Sequence, residues 1–436
     1  MSLLLRDRDL DRLPARLAAK AVAPHDRRYE RLRHTYAAAG APALVIAAAD
    51  ADDVRAAVRY AAAREAPLAV RSGGHGAATN DGGLVVDLGR LRSVRVLDAR
   101  RRTVRVEAGA RWGEVAQALD RHDLAVSSGD YGDVGVGGLA TVGGVGLLVR
   151  RQGLTIDRVR AAEIVLGDGT LVRADAERHA DLLWAVRGAG GAFGAVTAFE
   201  FEADRIGEVT SAAFAYETGD LAGLLARWAE LVDAAPRALT SFLYVNLVPG
   251  RGLVARATVV DADAGAAAIA PFADIAPVID REVSRVRYNA LVPSSREPHR
   301  AQAGGLTTRA GLLDRVTGAS AGALADLLTS GAAAVLQLRS VGGAVNDVAA
   351  DATAYAHRTQ TVSVVAVASR ARRSELSAAW EQGLGGELRG TYLNLESERD
   401  ESVLRRAFPP PALARLRELK RRYDPAGVFD HSLPLP

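Results

Sequence analysis

His75 is the first residue whose surroundings call for chemistry. It stands in "AVRSGGHGAATNDGG", residues 69–83, just after Arg71 and Ser72 and among Gly73, Gly74 and Gly76. A neutral imidazole nitrogen is a nucleophile and a proton acceptor near neutral pH. Glycine neighbours leave it open to whatever enters the loop, and their N–H groups can meet an anion. Two further segments are equally bare: "GVGGLATVGGVG", residues 135–146, and "RGAGGAFG", residues 187–194. Glycine in a regular element costs roughly 0.5–1 kcal/mol relative to alanine. Any one cluster reads as a tight turn. Three together point to close approach of a large flat or anionic ligand, with a nucleotide cofactor as the natural example.

The elements around these loops are those that present loops to a ligand. "DADDVRAAVRYAAAREA", residues 50–66, predicts a helix: Asp50, Asp52 and Asp53 favour its N-terminus, Val54, Ala57, Val58 and Ala61 recur at helical spacing, and Pro67 ends it. "LAVRS" reads as a short strand leading into the histidine loop, and "GGLVVDLGRL" as a buried strand leaving it. Val94 and Val96, then Val104 and Val106, alternate as on two strands. Trp112, Val115, Ala116 and Leu119 form the apolar face of a helix, and Asp168-Gly169 turns a hairpin between Ile164–Leu166 and Leu171–Val172. After Ile206 glycine thins out. Longer helices such as "LAGLLARWAELVDA" then alternate with strands such as "SFLYVNLV" and "TVSVVAVAS". The tail, "PALARLRELKRRYDPAGVFDHSLPLP", predicts a basic amphipathic helix ended at Asp424-Pro425, with an extended strap beyond it.

Composition narrows the possibilities. The 436 residues exceed what one core usually holds, so two domains are expected. The chain has 55 basic and 52 acidic residues, mixed along its length, which gives no cationic face for nucleic acid. With 0 cysteines, disulfides, thiolate catalysis and thiolate metal sites are excluded. The eight histidines lack ligand spacing, so no metal site is expected. No apolar run is long enough to span a membrane, and the first residues lack the apolar core of a signal peptide, so a cytoplasmic protein is expected. Gly135, Gly137 and Gly138 loosely match a nicotinamide-dinucleotide fingerprint, but glycines continue where its helix should begin.

The runs "VRSGGHG…NDGGLVVDL", "VEAGARWGEV", "GDVGVGGLATVGGVGLLVRRQGLTIDRV" and "DLLWAVRGAGGAFGAVTAFEF", in that order, resemble the FAD-linked oxidases of the vanillyl-alcohol oxidase superfamily. The branch resembled is the berberine bridge enzyme-like and 6-hydroxynicotine oxidase-like one, and "GTYLNLESE" and "LKRRYDPAGVFDHS" are similar to its C-terminal pattern. The resemblance is strong over about residues 40–205, patchy through the middle, and returns after Gly390.

It implies a two-domain α+β protein. A PCMH-type FAD-binding domain would comprise residues 1–204, completed by 395–436. A substrate domain, an antiparallel sheet backed by helices, would comprise 205–394 and roof the flavin. It implies FAD either bonded through His75, by that link alone, or held without a covalent bond, because Tyr131 stands where doubly tethered members carry cysteine. Arg71, Ser72, Gly73, Gly74 and Gly76 would line the pyrophosphate. Gly129, Gly137, Gly138 and Gly143 would meet the isoalloxazine or ribityl part, Gly194 and Val196 the adenine side, and Asn394 the flavin from a C-terminal strand. The family's Asp-Pro-x-Asn-x-Phe reads "DPAGVF", with Gly427 in place of asparagine.

The implied activity is oxidation of a small alcohol, sugar, amine or natural-product intermediate, with O₂ as final oxidant. A net non-oxidative cyclisation on the same cofactor, and an NAD-linked dehydrogenase, are the alternatives. Such an oxidase needs a base for the substrate proton. Tyr392 is the candidate, two residues before Asn394 and on the same face if the segment is a strand. A free phenol titrates near ~10, so it needs a partner. Tyr131 is read as that partner or as a wall of the pocket. Gln337 and Arg339 share one face of "VLQLRSVGG", which meets either substrate or solvent, and His357, His122 and His179 read as structural or surface residues.

Overall fold

The computed structural model describes residues 5, 12–36, 38–76, 79–248, 250, 252–263, 265–294, 305–431 and 433–435. Leu44–Ala47, Leu84–Asp87 and Leu68–Arg71 run parallel in a four-stranded sheet, with Ala21–Val22 antiparallel at one edge. Leu44–Ala47 and Leu84–Asp87 are buried at every position, which is why both read as unbroken apolar runs. The helix Ala51–Ala62 crosses over between two of these strands, started by the Asp50 carboxylate accepting Asp53 N–H at 2.8 Å. It ends before Pro67: Glu65 takes φ 50° and Ala66 N–H closes onto Ala61 O, so a turn stops the helix four residues earlier than proline alone would. The histidine loop leaves the carboxyl end of Leu68–Arg71, the end of a parallel strand where ligands collect.

An antiparallel five-stranded sheet follows, in the order Val94–Asp98, Thr103–Glu107, Ala195–Glu202, Val159–Val165, Leu171–Ala174. The Asp168-Gly169 hairpin is present, with Gly169 at φ 78° and its first strand ending at Val165.

The third sheet has seven antiparallel strands, from Val278–Arg287 at one edge through Glu208–Glu217, Gly252–Asp261, Leu239–Val248, Val335–Ser340 and Val362–Ser369 to Leu306–Leu313. Alternation gives it two different faces. Leu243, Val245, Leu336, Leu338 and Val364 share a core with the helices Leu221–Ala234, Gly318–Thr329 and Arg373–Leu384. Phe242, Tyr244, Gln337 and Arg339 point the other way. Cross-strand pairing sets Phe242 opposite Arg339 and Tyr244 opposite Gln337. The protein thus has the mixed α+β architecture expected, with helices on one side of an antiparallel sheet.

One stretch inside 205–394 belongs to the other core. Val341, Val345, Ala354 and Tyr355 pack with the first two sheets. Arg358 there makes two 2.9 Å bonds to the Asp157 carboxylate, both side chains being buried. The C-terminal helix Pro410–Tyr423 also packs on this core. Its buried Lys420 donates to Ala192 O at 2.8 Å and pairs with Asp424 at 2.6 Å. Breaking a buried pair leaves an uncompensated charge and costs about 3–5 kcal/mol. Asp157→Ala is therefore expected to lower unfolding free energy by that amount in urea titrations, and Asp157→Ala with Arg358→Met to recover most of it.

Candidate functional site

The first and second glycine loops meet backbone to backbone. A Cβ on Gly73 would lie 2.3 Å from Gly135 N, and one on Gly135 would lie 2.1 Å from Gly73 N. Ser72 Oγ fastens the pair, donating to Ala108 O and accepting Gly137 N–H at 3.3 Å. Arg71 folds beneath the loop: its guanidinium pairs with buried Asp87 and sits under Gly74, which holds φ 75°. Not all the glycines serve packing. Beside Gly76 and Gly138, chain neighbours aside, no atom of the described residues lies within 4 Å of a would-be Cβ. These two face an open cleft.

The cleft comprises two adjoining cavities. One, of about 520 Å³, is lined by Arg71 to Gly76, Gly129, Asp130, Tyr131, Tyr244, Gln337, Arg339, Tyr392 and Asn394. The other, of about 390 Å³, is lined by Gly137, Gly138, Thr141, Gly191, Gly194 and Val196. Ser72, His75, Gly76, Gly138 and Asn394 border both, so His75 stands at the junction. Its ring is flanked by Tyr36, stacked at 5.6 Å, and Tyr131, at 5.5 Å. An elongated cleft floored by bare backbone has the form a dinucleotide with one flat end requires.

The sheet forms the opposite wall. Tyr244 donates its hydroxyl to Asp130 and accepts from Arg339 Nη2 at 3.2 Å. The same Nη2 donates to Gln337 Oε1 at 2.8 Å. Burial raises the Tyr244 phenol well above its ordinary range. Tyr392 closes the end, its hydroxyl oxygen accepting Gly144 N–H at 2.8 Å and Asn394 Nδ2 at 2.9 Å. Burial pushes the Tyr392 phenol above its usual value, against the pull of those two donors.

Sequence reading and structure part at particular residues. Tyr392 and Asn394 do not lie on a strand: a 3₁₀ turn, Leu393–Leu395, brings them to one side. Gly144 and Asn394 donate to the Tyr392 oxygen, and Tyr131 lies against His75 as a wall of the cavity. Gly143 is absent from the cleft lining, because its Cα backs the Tyr392 ring and a Cβ would come within 2.6 Å of Cε2. Gly194 borders the cleft but also packs on Ile164 and Val165. Gln337 and Arg339 face the cavity, not solvent. His357 is buried on the carbonyls of Arg406 and Ala407, while His122 and His179 are exposed. Gly427 holds φ 65°, a left-handed turn that glycine and asparagine both tolerate. Asp130 and Tyr244 were not foreseen. Tyr244 carried a signal, since it alternates with Phe242 on "SFLYVNLV"; Asp130 carried none beyond adjacency to Tyr131.

Residues 42–175 match the family model described as an FAD binding domain. An FAD-linked oxidoreductase, dpmaF, of Metarhizium anisopliae is 40% identical over 167 residues, covering 37% of this chain and 32% of that protein. (R)-6-hydroxynicotine oxidase of Paenarthrobacter nicotinovorans is 37% identical over 199 residues, covering 44% of this chain and 43% of that one. These alignments span less than half the length of the curated relatives. Among solved structures, Physcomitrella patens BBE-like 1 superposes with TM-score 0.85 at 23% identity, covering 98% of each chain. Residues 42–175 are thus similar to an FAD-binding domain, and the chain shares the fold of Physcomitrella patens BBE-like 1. The nicotinamide-dinucleotide alternative falls, since the glycines at 135–138 open only the one-turn helix Val136–Leu139.

The glycines that face the cleft and those that hold the loops together separate in a simple test. Gly138→Leu is expected to keep unfolding free energy within about 1 kcal/mol, because its side chain enters open space, yet to retain at least tenfold less FAD, read from flavin absorbance per protein. Gly73→Ala is expected to cost about 1–3 kcal/mol in the same unfolding assay.

Proposed function

We propose that the protein is an FAD-dependent oxidase of a small organic substrate, an alcohol, sugar, amine or natural-product intermediate. When bound, FAD would supply the two-electron acceptor for oxidation of a substrate C–H, with O₂ as the final oxidant. The observation that carries this reading is the cleft itself. Two glycines expose backbone to it, one histidine stands where its two halves join, and a polar wall faces them across the wider half.

The chain's own groups divide the work. His75 would tether the cofactor by a single covalent bond, its ring flanked by Tyr36 and Tyr131. Ser72 and the main chain of Gly73, Gly74 and Gly76 hold the pyrophosphate, and Arg71 holds the loop in shape through Asp87. Gly137, Gly138, Gly194 and Val196 lie along the half of the cleft assigned to the rest of the dinucleotide. Tyr392 takes the proton from the substrate as its C–H is oxidised. The Gly144 and Asn394 donors keep its oxygen aimed and stabilise it once ionised. Gln337 and Arg339 hold the substrate against the opposite wall.

Two measurements test these roles. The purified protein is expected to be yellow and to keep flavin fluorescence in the acid-precipitated pellet, whereas His75→Ala should move all of it to the supernatant; wild-type flavin in the supernatant contradicts the tether. With Tyr392 as the base, only its ionised form is active, and burial places that ionisation above the ordinary phenol value. Hence kcat/KM is expected to climb with pH from 7 to 10. Tyr392→Phe is expected to lose about 10²–10⁴-fold and the pH dependence with it; a rate that falls with rising pH, or an unchanged Tyr392→Phe profile, contradicts the assignment.

A further inference from the structure

His75 stands on a loop that gives its ring little support. Its chain neighbours, Gly74 and Gly76, carry no side chains. Two other segments supply what the loop lacks. The Tyr36 ring stacks on the imidazole with centroids 5.6 Å apart and planes 23° apart. The Tyr131 ring meets it at 5.5 Å and 50°. Both separations fall in the range where aromatic rings attract. Each tyrosine is itself anchored. Tyr36 N–H donates to Gly74 O at 2.7 Å, one residue before the histidine. Tyr131 lies between Asp130, whose carboxylate accepts the Tyr244 hydroxyl, and Gly132, whose N–H donates to Pro293 O at 3.0 Å. All three rings are half-buried and line the wider cavity.

We propose that Tyr36 and Tyr131 are positioning residues, which clamp the His75 imidazole for covalent attachment of the flavin. The inference rests on the tether reading and adds to it what aims the nucleophile. Attachment joins an imidazole nitrogen to a methyl carbon of the flavin. One methyl C–H and the imidazole N–H are lost and one C–N bond forms. O₂ takes the two electrons and the two protons as hydrogen peroxide. The neutral nitrogen is nucleophilic enough; its placement is the demanding part. The attacking atom must sit about 3–3.5 Å from its target, and an error of about 1 Å can cost about 10²-fold. On bare glycine loop the side chain would share its time among several staggered rotamers. Two anchored rings hold it in one.

The test uses the full chain, produced at limiting riboflavin so that attachment is incomplete at harvest, with excess FAD then added in air. Intact mass of the denatured protein counts attached FAD over time, and absorbance after gel filtration counts all bound FAD. Tyr36→Leu and Tyr131→Leu are each expected to attach FAD about tenfold more slowly than wild type, and the double variant about 10²-fold more slowly. All three should bind as much FAD in total as wild type. Tyr36→Phe and Tyr131→Phe should attach within about twofold of the wild-type rate, because each keeps its ring. Leu variants that attach at the wild-type rate overturn the proposal, as do Phe variants as slow as the Leu ones, since the hydroxyls would then be the active part. Leu variants that lose total FAD binding overturn it too, because the tyrosines would then build the cleft and not aim the ring. A wild type that binds FAD and never attaches it contradicts the tether reading itself, and the clamp falls with it.

Discussion

Gly73 and Gly135 touch through main chain alone, and the cleft depends on that contact. With a side chain on either residue the loops would move apart, Ser72 would lose its hold on Ala108 and Gly137, and His75 would leave the junction of the two cavities. The first loop is aimed by the parallel strand Leu68–Arg71, and its underside is filled by the Arg71–Asp87 pair. The second loop is held from behind by Tyr392, whose ring packs on Gly143 and whose oxygen takes Gly144 N–H. One tyrosine therefore supports the glycine loop and faces the cavity at once, which ties the shape of the floor to the group nearest the chemistry.

The opposite wall obeys a different constraint, the period-two alternation of a strand. The same alternation that packs Leu336 and Leu338 against helices delivers Gln337 and Arg339 to the cleft, and it delivers Phe242 and Tyr244 beside them. A polar wall buried on one face of a sheet must satisfy its own donors and acceptors. The chain Asp130–Tyr244–Arg339–Gln337 does so except at one end of one guanidinium, Arg339 Nη1.

Much of the floor was legible because glycine has few reasons to cluster. The position of His75, the strand before it, the strand after it and the hairpin at Asp168-Gly169 all follow from local chemistry. Which glycines face a ligand and which face other backbone could not be read, since Gly73 and Gly76 look alike in sequence and differ only in what lies opposite. The same limit explains Tyr392. Its nearness to Asn394 suggested a strand, but the bridge between Leu312 and Gly390 ends the pairing and the chain turns. Residues 341–361 mislead for a related reason, because their allegiance to the first core is set by distant partners such as Asp157 and Trp184. Asp130 and Tyr244 meet across 114 positions, a contact no local pattern announces.

The claim on which the rest depends is that this cleft holds FAD bonded to the chain at one histidine. The intact mass of the denatured wild-type protein tests it most directly. The account predicts a single species heavier than the polypeptide by one covalently attached FAD, with the added mass on the peptide that contains His75. A mass equal to the bare polypeptide, or an adduct on another residue, would contradict it.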